Sequence, residues 1–194
     1  MTYEAIDFSG LLGMDGFSKE LLEDHFKLYE GYVTEANALL DQLRSMSDSD
    51  RSSAEHSELR RRLGWELNGM RLHELYFGNL GGDGRPPASG DLYKLIAGRR
   101  GGFDSWLADF KSVGKMRGVG WAIFYLDSGG RAENFWIGEH DVGHPAGATP
   151  LLVMDVWEHA YMTDYRTNRD EYIEAFLANV EWRVVGERFA AAAR

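Results

Sequence analysis

The chain of 194 residues contains no cysteine. That absence excludes disulfides, thiolate-held metals, iron–sulfur clusters and a cysteine nucleophile. Nothing in the sequence approaches the run of about 18 apolar residues read as a membrane span. The opening MTYEAIDFSG lacks the basic and apolar regions of a secretory signal. Positive charge is in short supply: 21 Lys and Arg stand against 31 Asp and Glu, for a net charge of −10. This balance argues against a general nucleic-acid binder. It leaves room for a small anionic substrate, because the local field of a cleft can oppose the global charge. The expectation is a cytoplasmic protein that binds neither nucleic acid nor membrane.

What the chain does have is apolar and aromatic material, 44% hydrophobic and 13% aromatic with 6 Trp. That is enough for one sizeable core or two small lobes packed together. Apolar residues at helical spacing (Leu21, Leu22, Phe26, Tyr29, Val33, Ala36, Leu40) predict a helix over 18–44, with Ser18 as its cap. RSMSDSDRSS (44–53) is a polar connector, and a second helix is predicted over 57–80. Two long helices with a short joint suggest an antiparallel hairpin. GGDGRPPASG (81–90) interrupts all periodicity and divides the chain into expected domains 1–88 and 89–194. Beyond it, 90–99 and 102–113 read as helices. GVGWAIFYLD (118–127), AENFWIG (132–138) and TPLLVMDVW (149–157) read as strands, and 160–166, 169–178 and 180–192 as short helices. The fold class expected is α+β: a helical-hairpin lobe, then an α/β lobe with a three-stranded antiparallel sheet.

Asp155 and His159 stand four apart at the end of the third strand, within the otherwise oily VMDVWEHAYM. Ionisable groups beside a buried strand are costly unless paired. Asp and His can hold iron, manganese or zinc, although a strand-end Asp capping the next helix beside a core His is the plainer reading. His73 sits among apolar residues in RLHELYFGNL, and His25 lies in the first helix beside Asp24. Either can be a ligand or an ordinary core or surface histidine. His140 and His144, in EHDVGHP, form a second metal pair or simply belong to a solvated loop. Taken together, three histidines and one aspartate from a hairpin and a strand end would suit a redox metal with an open position.

DVWEHAYMTDYRTNRDEYIEAFLANVEWRVVGERF (155–189) resembles the C-terminal signature of iron/manganese superoxide dismutases. TPLL, GVGWAIF (118–124) and RLHELYFGNL (71–80) match the same family in the same order, and HFKLYEGYVTEANAL (25–39) resembles its first helix more loosely. The resemblance implies one iron or manganese per chain, held by His73, Asp155, His159 and a first-helix histidine. It implies superoxide as substrate and a homodimer. It also implies Tyr32 as a gateway tyrosine, Trp121 and Trp157 as walls of the site, and Glu158 as the residue that reaches the partner subunit's ligand histidine.

The departures from the family pattern concern the relay. The glutamine that usually bonds the metal-held solvent comes from one of two places, which here read Gly69 and His140. Glycine cannot supply it, so His140 is taken as its replacement. The usual His–Tyr pair across the subunits reads Leu28 and Met162, both polar partners being absent together. The family ligand stands eight residues before the gateway tyrosine, which points to Asp24; seven back is His25. At about 100° per residue, seven steps return to within about 20° of the starting direction and eight miss by about 80°. A regular helix therefore puts His25 with Tyr29 and Tyr32, and an Asp24 ligand would need a one-residue bulge. Lys27, Arg166 and Arg169 are candidates to offset the negative charge near the entrance. The activity expected is superoxide dismutation, with Tyr32 and His140 acting on protons. The altered relay also admits a metal-binding relative of low dismutase activity with another redox or sensing role.

Overall fold

The structure is a computed structural model that describes residues 2–98 and 101–193. It opens with two long helices packed against each other, α1 (Lys19–Ser45) and α2 (Ala54–Gly78). Ser18 caps α1 by accepting from Leu21 N–H, and Ser53 caps α2 by accepting from His56 N–H, each satisfying a donor that the first turn leaves free. The polar connector carries one tight turn, Asp48–Ser52, closed by Ser47 and Asp50. Leu21, Leu22, His25, Tyr29, Val33, Ala36 and Leu39 form the buried stripe of α1. The stripe repeats every three to four residues, as an amphipathic helix requires.

Two shorter helices follow, α3 (Asp91–Ala97) and α4 (Gly102–Gly114). The last residue of the helix predicted over 90–99 lies outside the described residues. Then come β1 (Trp121–Leu126), β2 (Ala132–Ile137) and β3 (Thr149–Asp155). They form an antiparallel sheet in the order β2-β1-β3. The central strand β1 is buried along its whole length. Helix α4 lies against β1 and β2, while α2 and the C-terminal helix α7 (Trp182–Ala192) lie against β3. Between β3 and α7 come the tight turn Glu158–Ala160, a single turn α5 (Met162–Tyr165) and α6 (Arg169–Ala178). The expected α+β architecture is therefore the one observed.

The strands are shorter than the sequence patterns predict, for local reasons. Gly118 and Gly120 sit at φ 135° and 131°, which L side chains rarely adopt. A Cβ at Gly120 would collide with the Ile137 carbonyl. The GVG stretch is therefore a close backbone approach leading into β1. At the other end, β3 stops at Asp155 because its Oδ1 accepts from Trp157 N–H at 2.8 Å and turns the chain. The helix predicted over 160–166 is a tight turn followed by α5, ended by Arg166 at φ 52°.

One buried side chain ties α2 to the sheet. Asn79 follows the end of α2, and its Oδ1 accepts from Val153 N–H at 3.0 Å while its Nδ2 donates to Val153 C=O at 3.3 Å. The amide thus takes the place of a neighbouring strand on the free edge of β3. It sets the height of α2 against β3, and with it His73 against Asp155.

Candidate metal centre

His25 and Tyr32 are seven residues apart on α1, two turns, and both face α2 and the end of β3. His73 comes from the last turns of α2, Asp155 is the final residue of β3, and His159 lies in the turn just after it. One ligand atom from each of these four residues lies within 4.8 Å of the others. From Asp155 Oδ2 the distances are 3.3 Å to His25 Nε2, 3.6 Å to His73 Nε2 and 3.1 Å to His159 Nε2. His25, His73 and Asp155 are buried, and His159 is partly so.

The protonation states suit a cation. Burial holds the His25 and His73 imidazoles below the usual histidine range, so each is neutral. His73 Nδ1 donates to the Gly69 carbonyl at 2.6 Å, which fixes the proton there and leaves the Nε2 lone pair facing the cluster. Burial alone would raise Asp155. The surrounding histidines, His159 foremost, outweigh it and keep the group a carboxylate far below the usual range.

Nε2 of His25 and of His73 is buried and makes no hydrogen bond. Orphaned polar atoms of this kind are expensive. Here they converge on one carboxylate oxygen, so a shared cation satisfies them all. Bonds of about 2.1 Å at angles of 90–120° would set donors about 3.0–3.6 Å apart, and the observed separations from Asp155 Oδ2 run from 3.1 to 3.6 Å. The donor set fits a single metal ion.

Aromatic rings surround the cluster. Trp121 is fully buried and meets His73 edge to face at 5.1 Å. Trp157 stacks on His159 at 6.1 Å, and the Tyr32 ring stacks on His73 at 5.1 Å. His140 is fully buried in the loop after β2. Its Nδ1 accepts from Trp121 Nε1–H at 3.1 Å, and its Nε2 lies 2.7 Å from Tyr32 Oη. Burial lowers the His140 pKa to about 4, so the ring is neutral at ordinary pH. With Nδ1 accepting, its proton resides on Nε2, which donates to Tyr32 Oη. Burial also pushes the Tyr32 phenol well above the usual tyrosine range.

Residues 88–188 match the family model described as iron/manganese superoxide dismutases, C-terminal domain. The chain is 39% identical over 183 residues, 91% of its own length and 85% of the relative's, to a protein of Aquifex pyrophilus named superoxide dismutase [Fe]. It is 34% identical to one of the same name from Cupriavidus metallidurans, over 93% of this chain and 92% of the relative. It is 32% identical to a superoxide dismutase [Mn] of Mycolicibacterium fortuitum, over 87% and 82%. The chain belongs to the iron/manganese superoxide dismutase family. His25, His73, Asp155 and His159 are its metal site, for iron or manganese.

Family membership sharpens the reading of individual positions. Asp24 is exposed and pairs with Lys27 at 3.0 Å, away from the cluster. A Cβ on Gly69 would come within 2.6 Å of the Tyr32 ring, so the tyrosine fills the space a side chain from α2 would need. That is the physical reason glycine stands there. His144 takes no part in the cluster, its two ring nitrogens being turned to Tyr125 and the His140 carbonyl. Glu158 is exposed, Met162 is 42% exposed and Leu28 is half-buried. Of the candidate funnel cations, Lys27 is paired as described. Arg169 is committed to the carbonyls of Met116 and Gly118 and lies over Tyr161 at 5.3 Å; Arg166 is exposed.

Several residues of the site went unmarked in the sequence. Trp65 packs on His140 at 4.6 Å and on Trp157 at 6.0 Å. Phe77 meets His25 at 4.8 Å, and Tyr172 donates to the Asp155 carbonyl at 2.6 Å. Trp65, Gly69 and His73 recur every four residues along α2. That spacing places them along one side of a helix and was the available signal for Trp65.

Proposed function

We propose that Tyr32 and His140 hold and deliver protons in the superoxide dismutase reaction of this chain. Two superoxide anions and two protons become dioxygen and hydrogen peroxide. Iron or manganese held by His25, His73, Asp155 and His159 would supply the one-electron redox chemistry. The protein's own part is to exclude bulk water, orient the ligands and bring protons to a dianion as it forms.

The observation that carries this reading is the 2.7 Å bond between Tyr32 Oη and His140 Nε2 beside the ligand cluster. Trp121 occupies His140 Nδ1, so Nε2–H is the donor and the Tyr32 phenol accepts from it. The phenol's own O–H is thereby free to donate elsewhere. A raised phenol keeps that proton until a strong base appears nearby. Once Tyr32 gives it up, His140 Nε2–H steadies the phenolate by donating to it until solvent returns a proton. Trp121 and Trp157 are proposed as the walls that keep other water out.

The chain is further read as a cytoplasmic homodimer of two-lobed subunits, with lobes 1–88 and 89–194. Glu158 adjoins ligand His159 and is exposed in the single chain, as a residue reserved for a partner would be. The partly exposed Met162 offers apolar surface nearby. Each lobe would contribute two ligands, so the metal would also clamp the lobes together.

His140→Ala tests the proton roles. The expected result is full metal content with turnover lowered by about 100-fold or more, the usual yield of positioned acid–base groups. Turnover equal to the parent's would remove His140 from the mechanism.

A further inference from the structure

The strands β2 and β3 flank β1, so the segment between them must cross β1. In the antiparallel registers Ile137 pairs with Trp121, while Thr149 pairs with Leu126. The crossover 138–148 therefore travels the length of β1, from the metal end to the far end. Trp121 and Tyr125 stand four apart on β1 and so project from the same face. Each pins this crossover. Trp121 holds the His140 ring through Nδ1 at 3.1 Å. Tyr125 Oη lies 2.6 Å from His144 Nδ1, and His144 Nε2 lies 2.7 Å from the His140 carbonyl.

The direction of this chain follows from what each atom can do. A carbonyl only accepts, so His144 Nε2 carries a proton and donates. In the neutral ring Nδ1 then accepts, and the Tyr125 hydroxyl is its donor. Burial pushes the Tyr125 phenol above its usual range, so the hydroxyl keeps its proton. Beyond the His140 ring, which Tyr32 and Trp65 also hold, the crossover backbone is loose: Gly143 and Gly147 sit at φ 98° and 75°, and Ala148 N–H closes a local turn onto Pro145.

We infer that His144 and Tyr125 are positioning residues for the dismutase site: Tyr125 orients His144, and His144 clamps the His140 backbone so that its imidazole meets Trp121 and Tyr32 together. This rests on the reading that His140 acts at the site. His144 is too far along the crossover to touch the ligand cluster and acts only through His140.

The test compares His144→Phe, which keeps a flat ring and removes both hydrogen bonds, with His144→Gln, whose amide again offers one acceptor and one donor. Turnover and metal content are measured on the metal-loaded enzyme. The exchange rate of the Trp121 indole N–H, which donates to His140, is measured by NMR on the metal-free protein. His144→Phe is expected to keep its metal, to lose about 10-fold or more in kcat, as loss of a supporting hydrogen bond typically does, and to expose the Trp121 N–H to faster exchange. His144→Gln is expected to recover most of both. Parental kcat and Trp121 exchange in His144→Phe would overturn the inference, as would a glutamine variant no better than phenylalanine. If His144→Phe does not fold, Tyr125→Phe deletes one hydroxyl and is expected to move both readouts the same way by less; unchanged readouts there overturn it equally. His140→Ala serves as control. Parental turnover in that variant removes the reading beneath the inference, whereas low turnover there with parental turnover in His144→Phe overturns the brace alone.

Discussion

The choice between Asp24 and His25 is settled by a rotation of one residue on a helix. Seven steps from Tyr32 back to His25 make two turns of α1, and both rings face the cluster. Asp24 points into solvent and pairs with Lys27. The chemistry agrees with the geometry. Three neutral imidazoles and one carboxylate leave a bound divalent ion with a net positive charge, and a second carboxylate would remove it. Asp24→Asn is accordingly expected to retain parental metal content, and His25→Ala to lose most of it, both by elemental analysis after dialysis. The reverse pattern would put the ligand on Asp24. Gly69 is decided on the same scale. The Tyr32 ring occupies its side-chain space, and with α2 unable to supply a polar group there, His140 is left as the group bonded to Tyr32.

Among the elements, the amphipathic ones were the most legible. The Ser18 cap and most of the buried stripe of α1 follow from capping chemistry and spacing, though Leu39 rather than Leu40 is the buried one and Phe26 is only partly covered, and α6 has the predicted bounds 169–178. Asp155 and His159 stand out as charge beside a buried strand, but that pattern alone reads more plainly as a strand-end cap, and the family resemblance of 155–189 is what marks them as ligands. What spacing could not show was how separate elements meet. Asn79 reads as an ordinary helix-end residue, yet its amide pairs with Val153 on the edge of β3. Trp65 carries no mark in the sequence and joins the site only because the His140 loop lies against it. The start of β1 was overrun because the β-prone WAIFYL run carries the pattern back into its leading GVG, while the positive φ of Gly118 and Gly120 shows only in three dimensions. Asn79→Leu is the prediction at this scale. It leaves the Val153 N–H and C=O buried without partners, at about 1–3 kcal/mol for each such group, and frees α2 to shift against β3. A lower unfolding midpoint together with weaker metal retention is expected. Metal retention equal to the parent's at a lowered midpoint would separate Asn79 from the positioning of His73.

On the scale of the whole molecule, α1 and α2 bring two ligands and the end of β3 with its following turn brings two. The cluster is thus a joint between the first and last parts of the chain. A bound ion would satisfy the orphaned nitrogens of His25 and His73, which otherwise weigh against the fold. Glu158 extends the same logic beyond one chain. If it orients a partner's ligand histidine, Glu158→Gln is expected to shift sedimentation toward the monomer and to lower metal retention by about 10–100-fold. A variant with parental sedimentation and metal content would detach Glu158 from the subunit contact. The most direct trial is to reconstitute metal-free protein with graded iron, and separately manganese, and to follow superoxide decay against metal bound per chain. Activity is expected to rise linearly and to level off at one ion per chain with at least one of the two metals. Retention of neither metal, or a fully loaded protein that leaves superoxide untouched, would contradict the assignment.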